Sequence, residues 1–226
     1  MKEKTIEPIA RIRTDFPGKF GIPRQAGIAE ELEGTIEFEK NYAEADAIRG
    51  IEEFSHLWLI WGFSENEGWS PTVRPPRLGG NVRKGVFATR SPFRPNGLGL
   101  SCVRLLRVDD CGPGMPKLIV GGADLMDGTP IYDIKPYIPY ADCIPDAASG
   151  FAPDPGKRLE VIIPEELEEK IPPEKRAALR TVLSLDPRPQ YIEQGDRKYG
   201  FGFAGFEIRF KIAEGTVIVL SAEKTE

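Results

Sequence analysis

The chain has 226 residues, 40% of them hydrophobic and 29% charged, with a formal net charge of −5, a single histidine and three cysteines. This is the composition of a globular protein with one large domain, or a main domain and a smaller companion. No run approaches the ~20 consecutive apolar residues of a transmembrane helix. The N-terminal MKEKTIEPIARIRTDF lacks the apolar core of a signal peptide, and Cys102, Cys111, Cys143 and His56 lack the clustered spacing of a zinc site. The expectation is a cytoplasmic protein with neither a metal nor a disulfide framework.

β-rich runs occur at 5–13, 34–40, 56–63, 84–89, 99–108 and 117–124, each bounded by Gly, Pro, Asn or Asp. They predict a mainly β, mostly antiparallel sheet or barrel over residues 1–150, with a short helix at 42–50 and no βαβ alternation. Trp58, Trp61 and His56 of HLWLIWGF read as core residues. ASGFAPDPGKR reads as a linker. Residues 157–226 then predict a small α+β domain: a strand at RLEVIIP, one or two helices interrupted at Pro172 and Pro173, and two strands about the turn at Glu214 and Gly215.

Charge is segregated along the chain. Residues 28–53 hold nine acidic and two basic residues, 74–107 hold eight Arg or Lys and no acid, and 108–155 hold eight Asp and two Lys. The central block fits a phosphate-binding patch, or a set of arginines paired to the acidic segments on either side.

Two segments concentrate the chemistry. In PTVRPPRLGGNVRKGVFATRSPFRPNGLGLS (71–101), prolines fix a loop while Arg90 and Arg94 present planar forks suited to phosphate or carboxylate. The alternative is a corner whose arginines satisfy carbonyls. In DLMDGTPIYDIKPY (124–137), Asp124, Asp127, Asp133 and Lys135 interrupt an apolar run, and Asp127–Pro130 is a turn sequence. GFGFAG (200–205) fits GxGxxG, but its phenylalanines favour strand and no βαβ unit surrounds it.

The motifs KFGIPRQAG (19–27), ADAIRGIEEFSHLWLIWGF (45–63), PTVRPPRLGGN (71–81), GVFATRSPFRPNGLGLS (85–101) and DLMDGTPIYDIKPYIPYAD (124–142), followed by LDPRPQY (185–191), together resemble the TsaA/TrmO family over nearly the whole chain. The resemblance implies an N-terminal antiparallel β-barrel binding S-adenosylmethionine without a Rossmann domain, a homodimer, and methylation of N6 of threonylcarbamoyladenosine 37 in tRNA. Carried over, it implies cofactor contacts at Arg24, Gln25, Ala26, Phe63, Ser64, Glu65, Arg90, Leu100, Asp127, Gly128, Thr129 and Pro130, with Asp127 the candidate catalytic residue. The basic block (Arg74, Arg77, Arg83, Arg94), with Arg188 and Tyr191, is the expected tRNA surface. A module that binds adenosylmethionine or RNA without catalysis, and a methyltransferase with another acceptor, are the alternative readings.

Overall fold

The computed structural model describes residues 5–110, 115–188 and 197–225; Cys111 and Tyr191 lie outside them. Eight strands come before residue 137: β1 (Ala10–Arg13), β2 (Glu33–Phe38), β3 (His56–Gly62), β4 (Thr72–Val73), β5 (Lys84–Gly85), β6 (Leu98–Asp110), β7 (Pro116–Gly121) and β8 (Pro130–Pro136). Six of them pair antiparallel in the order β1-β2-β7-β6-β3-β8, and β8 returns to β1, giving a closed barrel. Closure leaves no edge strand to be capped. β4 and β5 form a separate ribbon inside the β3–β6 connection.

Alternation of side chains decides which residues fill the barrel. Along β3, Leu57, Leu59 and Trp61 point inward and are buried, while His56, Trp58 and Ile60 are half-exposed. The expectation that both tryptophans are core therefore holds for Trp61 alone. Trp58 lies on the outer face and donates its indole N–H to Asp142 Oδ2 at 3.1 Å. His56 is likewise half-exposed, with Nδ1 2.9 Å from Ser55 Oγ and its ring edge-on to Tyr137.

Two other expectations change. Residues 42–50 form only a short 3-10 turn at Ala45–Ile48, and the run from 84 forms a two-residue strand and a 3-10 turn at Val86–Ala88. The turn read at Asp127–Pro130 forms at Asp127 and Gly128, and the run after it, with Asp133 and Lys135, is strand β8.

After α1 (Pro139–Asp142), the C-terminal part contains β9 (Glu160–Ile162), α2 (Glu165–Glu168), α3 (Pro173–Ser184), β10 (Lys198–Phe203), β11 (Phe206–Ala213) and β12 (Thr216–Lys224). Pro172 and Pro173 separate the two helices and stand at the start of α3, where a missing N–H costs nothing. The sheet order is β10-β11-β12-β9, with β12 parallel to β9. Three C-terminal strands form where two were expected, because Ala204 and Gly205, at φ 50° and 78°, turn the chain between β10 and β11. The glycines of GFGFAG thus lie on a strand and in a hairpin turn.

The two cores do not divide at residue 150. Phe16, Ala29 and Leu32, which follow β1, are buried in the same cluster as Leu179, Phe203 and Phe210. Gly202 packs its bare backbone against Pro17, where a Cβ would stand 2.6 Å from the proline ring. The 14–32 connection is therefore held between barrel and C-terminal sheet.

Candidate functional site

The antiparallel order puts the C-terminal ends of β1, β3 and β7 at one end of the staggered barrel. The connections leaving that end are 14–32, 63–97 and 122–129, which carry PRQ, the arginine- and proline-rich loop and the DGTP turn. The acidic connection 39–55 lies at the opposite end.

Within this end two sets of hydrogen bonds lie side by side, Trp61–Ser101–Asp124 and Arg90–Gln25–Arg24. Trp61 sits over Gly99, its cross-strand partner, where any Cβ would fall 2.3 Å from the indole. That approach lets the indole N–H donate to Ser101 Oγ at 3.0 Å, and the buried Ser101 hydroxyl donates to Asp124 Oδ1 at 2.5 Å. The Ala26 backbone and Arg90 lie near enough to the Asp124 carboxylate to favour its charged form. Burial nevertheless dominates and raises the Asp124 pKa above the ordinary value of 3.8. Arg90 in turn donates to the Gln25 side-chain carbonyl, and the Gln25 amide donates to the Arg24 carbonyl. Gly27 N–H to Gly122 carbonyl and Gly122 N–H to Leu32 carbonyl, both 2.8 Å, close the loops together.

The remaining candidates fall into three groups. Phe63 packs edge-on to Trp61, with centroids 4.4 Å apart, and Leu100 on β6 leaves 54% of its surface exposed. Leu100, between Gly99 and Ser101, therefore faces out of the barrel, on the opposite side of β6 from Ser101. Ser64 and Glu65 are exposed, and the Glu65 carbonyl accepts from Lys19 Nζ at 3.1 Å.

The Asp127–Pro130 turn lies beside β1. Asp127 Oδ1 accepts the Thr14 N–H at 3.0 Å, and Oδ2 is 3.6 Å from Arg13. Gly128 supplies a φ of 75° and Thr129 is buried with its hydroxyl donating to the Met126 carbonyl at 2.7 Å. The Asp127 carboxylate is thus occupied in holding the turn to the barrel.

The arginines differ in their commitments. Arg94 donates to the Thr89 carbonyl at 2.8 Å and the Val86 carbonyl at 3.3 Å, satisfying a loop corner. Arg77 pairs with Asp154 and Arg83 donates to Thr72 Oγ1. Arg188 is bidentate with Asp186, both bonds 2.8 Å, which raises its pKa. Arg24 reaches the Asp186 carbonyl at 3.5 Å; crowding by neighbouring atoms lowers its pKa, Asp186 opposes that, and Arg77 adds to it. Arg74 is exposed and carries no hydrogen bond or ion pair among the described residues.

Sequence reasoning named Asp124 only among scattered polar groups and missed Ser101. The available signal was the pair of small residues, Gly99 and Ser101, set across from a tryptophan in the adjacent strand.

Comparison with known proteins places this arrangement in a family. Residues 11–143 match the description of the tRNA-methyltransferase O N-terminal domain, and residues 156–225 that of the TrmO C-terminal domain. An Escherichia coli K12 relative, named tRNA (adenine(37)-N6)-methyltransferase, is 41% identical over 234 residues, covering 99% of each chain. A Pyrococcus abyssi protein named as a probable S-adenosyl-L-methionine-binding protein is 40% identical over 135 residues, covering 60% of this chain and 68% of its own. The crystal structure of TrmO from Pseudomonas aeruginosa superposes with a TM-score of 0.78 at 32% identity, covering 98% of this chain and 99% of the other.

Proposed function

Because the chain belongs to the TrmO family of tRNA methyltransferases and matches both of its domains, we propose that it methylates N6 of adenosine 37 in tRNA, with S-adenosylmethionine as methyl donor and N6-threonylcarbamoyladenosine as the base modified. The observation that carries the reading is the juxtaposition of the Trp61–Ser101–Asp124 hydrogen bonds with the Arg90–Gln25 pair, Arg90 lying near enough to Asp124 to favour its charge, where the 14–32, 63–97 and 122–129 connections leave the barrel.

The residues present fit the donor. S-adenosylmethionine joins an adenosine, a sulfonium and an amino-acid zwitterion, and supplies an electrophilic methyl group when bound. Leu100 and Phe63 offer apolar surface to its adenosine. Arg90 offers a cation to its carboxylate, and the Gln25 segment offers backbone and amide groups to the polar remainder. Phe16, Ala29 and Leu32 tie the 14–32 connection into the C-terminal core, and the Gly27–Gly122 bond ties it to the barrel loops on either side of the 23–26 segment.

With the donor held there, N6 would take the methyl group in line as the carbon–sulfur bond opens, and would give its proton to solvent water. The rate depends on placing N6 in line more than on a strong base. We propose that the Asp127–Pro130 turn, held to β1 by the Asp127 carboxylate, contributes by position, with an oxygen of this turn accepting a hydrogen bond from N6. Arg74 and its neighbours engage anticodon-loop phosphates, and the C-terminal part, through Arg188, supports that contact; Tyr191, also proposed there, lies outside the described residues. The protein acts in the cytoplasm as a homodimer, a state that sedimentation tests directly.

The deciding experiment is transfer of label from S-adenosylmethionine to two matched tRNAs, with and without threonylcarbamoyl on adenosine 37. Label in the modified tRNA alone supports the reading. Label in neither, with the donor bound, removes it.

A further inference from the structure

Phe87 is a large apolar side chain with 74% of its surface in water, next to Val86, which is 1% exposed. The contrast is built by the local fold. Both belong to the 3-10 turn Val86–Ala88, and the buried Val86 anchors it while the turn delivers the next side chain outward. Val86 N–H donates to the Pro71 carbonyl at 3.0 Å, and Thr89 Oγ1 donates to the Val86 carbonyl at 2.8 Å. Arg94 holds the Thr89 carbonyl from the other side and places its guanidinium carbon 5.7 Å from the Phe87 ring centroid. One side of the ring is backed by a fixed cation, which itself has no carboxylate partner among the described residues.

A braced, solvent-facing ring is costly to keep as packing, because it buries little and its ordering has already been met. It suits a flat π-face arriving from solution. The charge around it indicates which: between 74 and 107 there is no acidic residue, so nothing near in sequence repels a phosphate backbone. Trp69 and Phe93, on segments joined by the Ser70 N–H to Phe93 carbonyl bond at 3.2 Å, also expose much of their rings. Exposed aromatics set among arginines are the recognition chemistry of single-stranded nucleic acid.

We propose that Phe87 is a stacking platform for an unpaired nucleobase of the RNA substrate, with Arg94 fixing the ring rather than binding the nucleotide itself. This rests on the RNA reading of the site above. It adds a contact that carries affinity without depending on salt, since stacking releases no counterions.

The test compares the unaltered protein with Phe87→Ala and Phe87→Tyr, each with threonylcarbamoylated tRNA. Phe87→Ala is expected to weaken tRNA binding on the order of tenfold, the loss of one base stack. The slope of log affinity against log salt and the affinity for S-adenosylmethionine should stay unchanged, and Phe87→Tyr should restore tRNA binding. Unchanged tRNA affinity in Phe87→Ala, while the unaltered protein methylates the tRNA, overturns the stacking role and leaves the functional reading intact. A fall in particle mass on sedimentation of Phe87→Ala overturns it too, by placing the ring between two copies of the chain. If the unaltered protein methylates nothing, the functional reading fails, and weaker tRNA binding by Phe87→Ala would still uphold the stack.

Discussion

Ser101 Oγ lies 2.5 Å from Asp124 Oδ1 and 3.0 Å from the Trp61 indole nitrogen. The indole can only donate and the ionised carboxylate can only accept, so Ser101 accepts from Trp61 and gives its own proton to Asp124. The contact is a charge-assisted hydrogen bond in a largely desolvated setting. Ser101→Ala should leave a buried indole N–H without a partner and cost about 1–3 kcal/mol. Urea unfolding would measure the loss, and methyl transfer should fall with it.

Asp124 carries a pH signature of its own. Burial raises its pKa above 3.8 despite the opposing Ser101, Arg90 and Ala26 contacts. The folded state therefore binds the proton more tightly than the unfolded chain does. Stability then decreases as pH rises from the ordinary value through the raised one, and the charged form is carried at a cost above both. Asp124→Asn should gain thermal stability relative to the parent over that window while losing affinity for S-adenosylmethionine. Parallel melting profiles for the two proteins from about pH 3.5 to 7 would show that the carboxylate bears no such cost.

Gly202 tests whether the C-terminal sheet holds the 14–32 connection. Its Cβ-free backbone meets Pro17, and Ala204 N–H donates to the Asp15 carbonyl at 2.9 Å just beyond. Lys175 Nζ pairs with Asp15 at 2.7 Å. Gly202→Ala puts a carbon 2.6 Å from the Pro17 ring, so the 14–32 segment must move. Calorimetry should show severalfold weaker S-adenosylmethionine binding together with a lower melting temperature. A lower melting temperature with unchanged binding would mean that the sheet stabilises the loop without positioning it.

The barrel was legible where polar and apolar residues alternate, as in GTIEFEK, and where a β-rich apolar run is bounded by turn residues, as in HLWLIWGF. Strand β8 was obscured because Asp133 and Lys135 break its apolar run and pair with each other across 3.1 Å. The C-terminal sheet was read one strand short because the Ala204–Gly205 turn lies inside a continuous aromatic run, and Ala204 gives no turn signal in sequence. The 71–101 loop was visible from its proline and arginine density, whereas the 24–26 segment entered only through the family resemblance. Which arginines are committed was not, since Asp154 and Asp186, the partners of Arg77 and Arg188, are distant in sequence or masked by a turn. The same holds for the 14–32 segment, whose Phe16 and Leu32 read as barrel residues until the C-terminal sheet is in place.

Those commitments separate the arginines by experiment. Arg74 has no partner among the described residues, so Arg74→Ala should lower tRNA affinity alike for all sequences and reduce the salt slope by about one. Arg188→Ala instead releases Asp186, whose carbonyl receives Arg24. It should disturb donor binding through Arg24 more than it changes the slope. Equal slope changes in both variants would assign phosphate contacts to both.

Stability of the C-terminal part can be varied away from the site. Arg180 on α3 grips Glu168 on α2 with two bonds of 2.8 and 2.6 Å, and its other nitrogen reaches the Val161 carbonyl of β9 at 3.4 Å. The hydrogen bonds from Arg180 lower the Glu168 pKa below its ordinary 4.5, against a smaller effect of burial. A depressed carboxylate contributes stability that is complete above the unfolded value and is lost as pH falls through the folded one. Both groups remain partly exposed, so the contribution is at most about 1 kcal/mol after solvent screening. Glu168→Gln should therefore melt below the parent at pH 7, and the two curves should converge under acid. Its methyl transfer per folded molecule at pH 7 should match the parent, because the pair touches none of the barrel loops. A loss of activity with stability unchanged would instead place this helix pair in the path of the RNA.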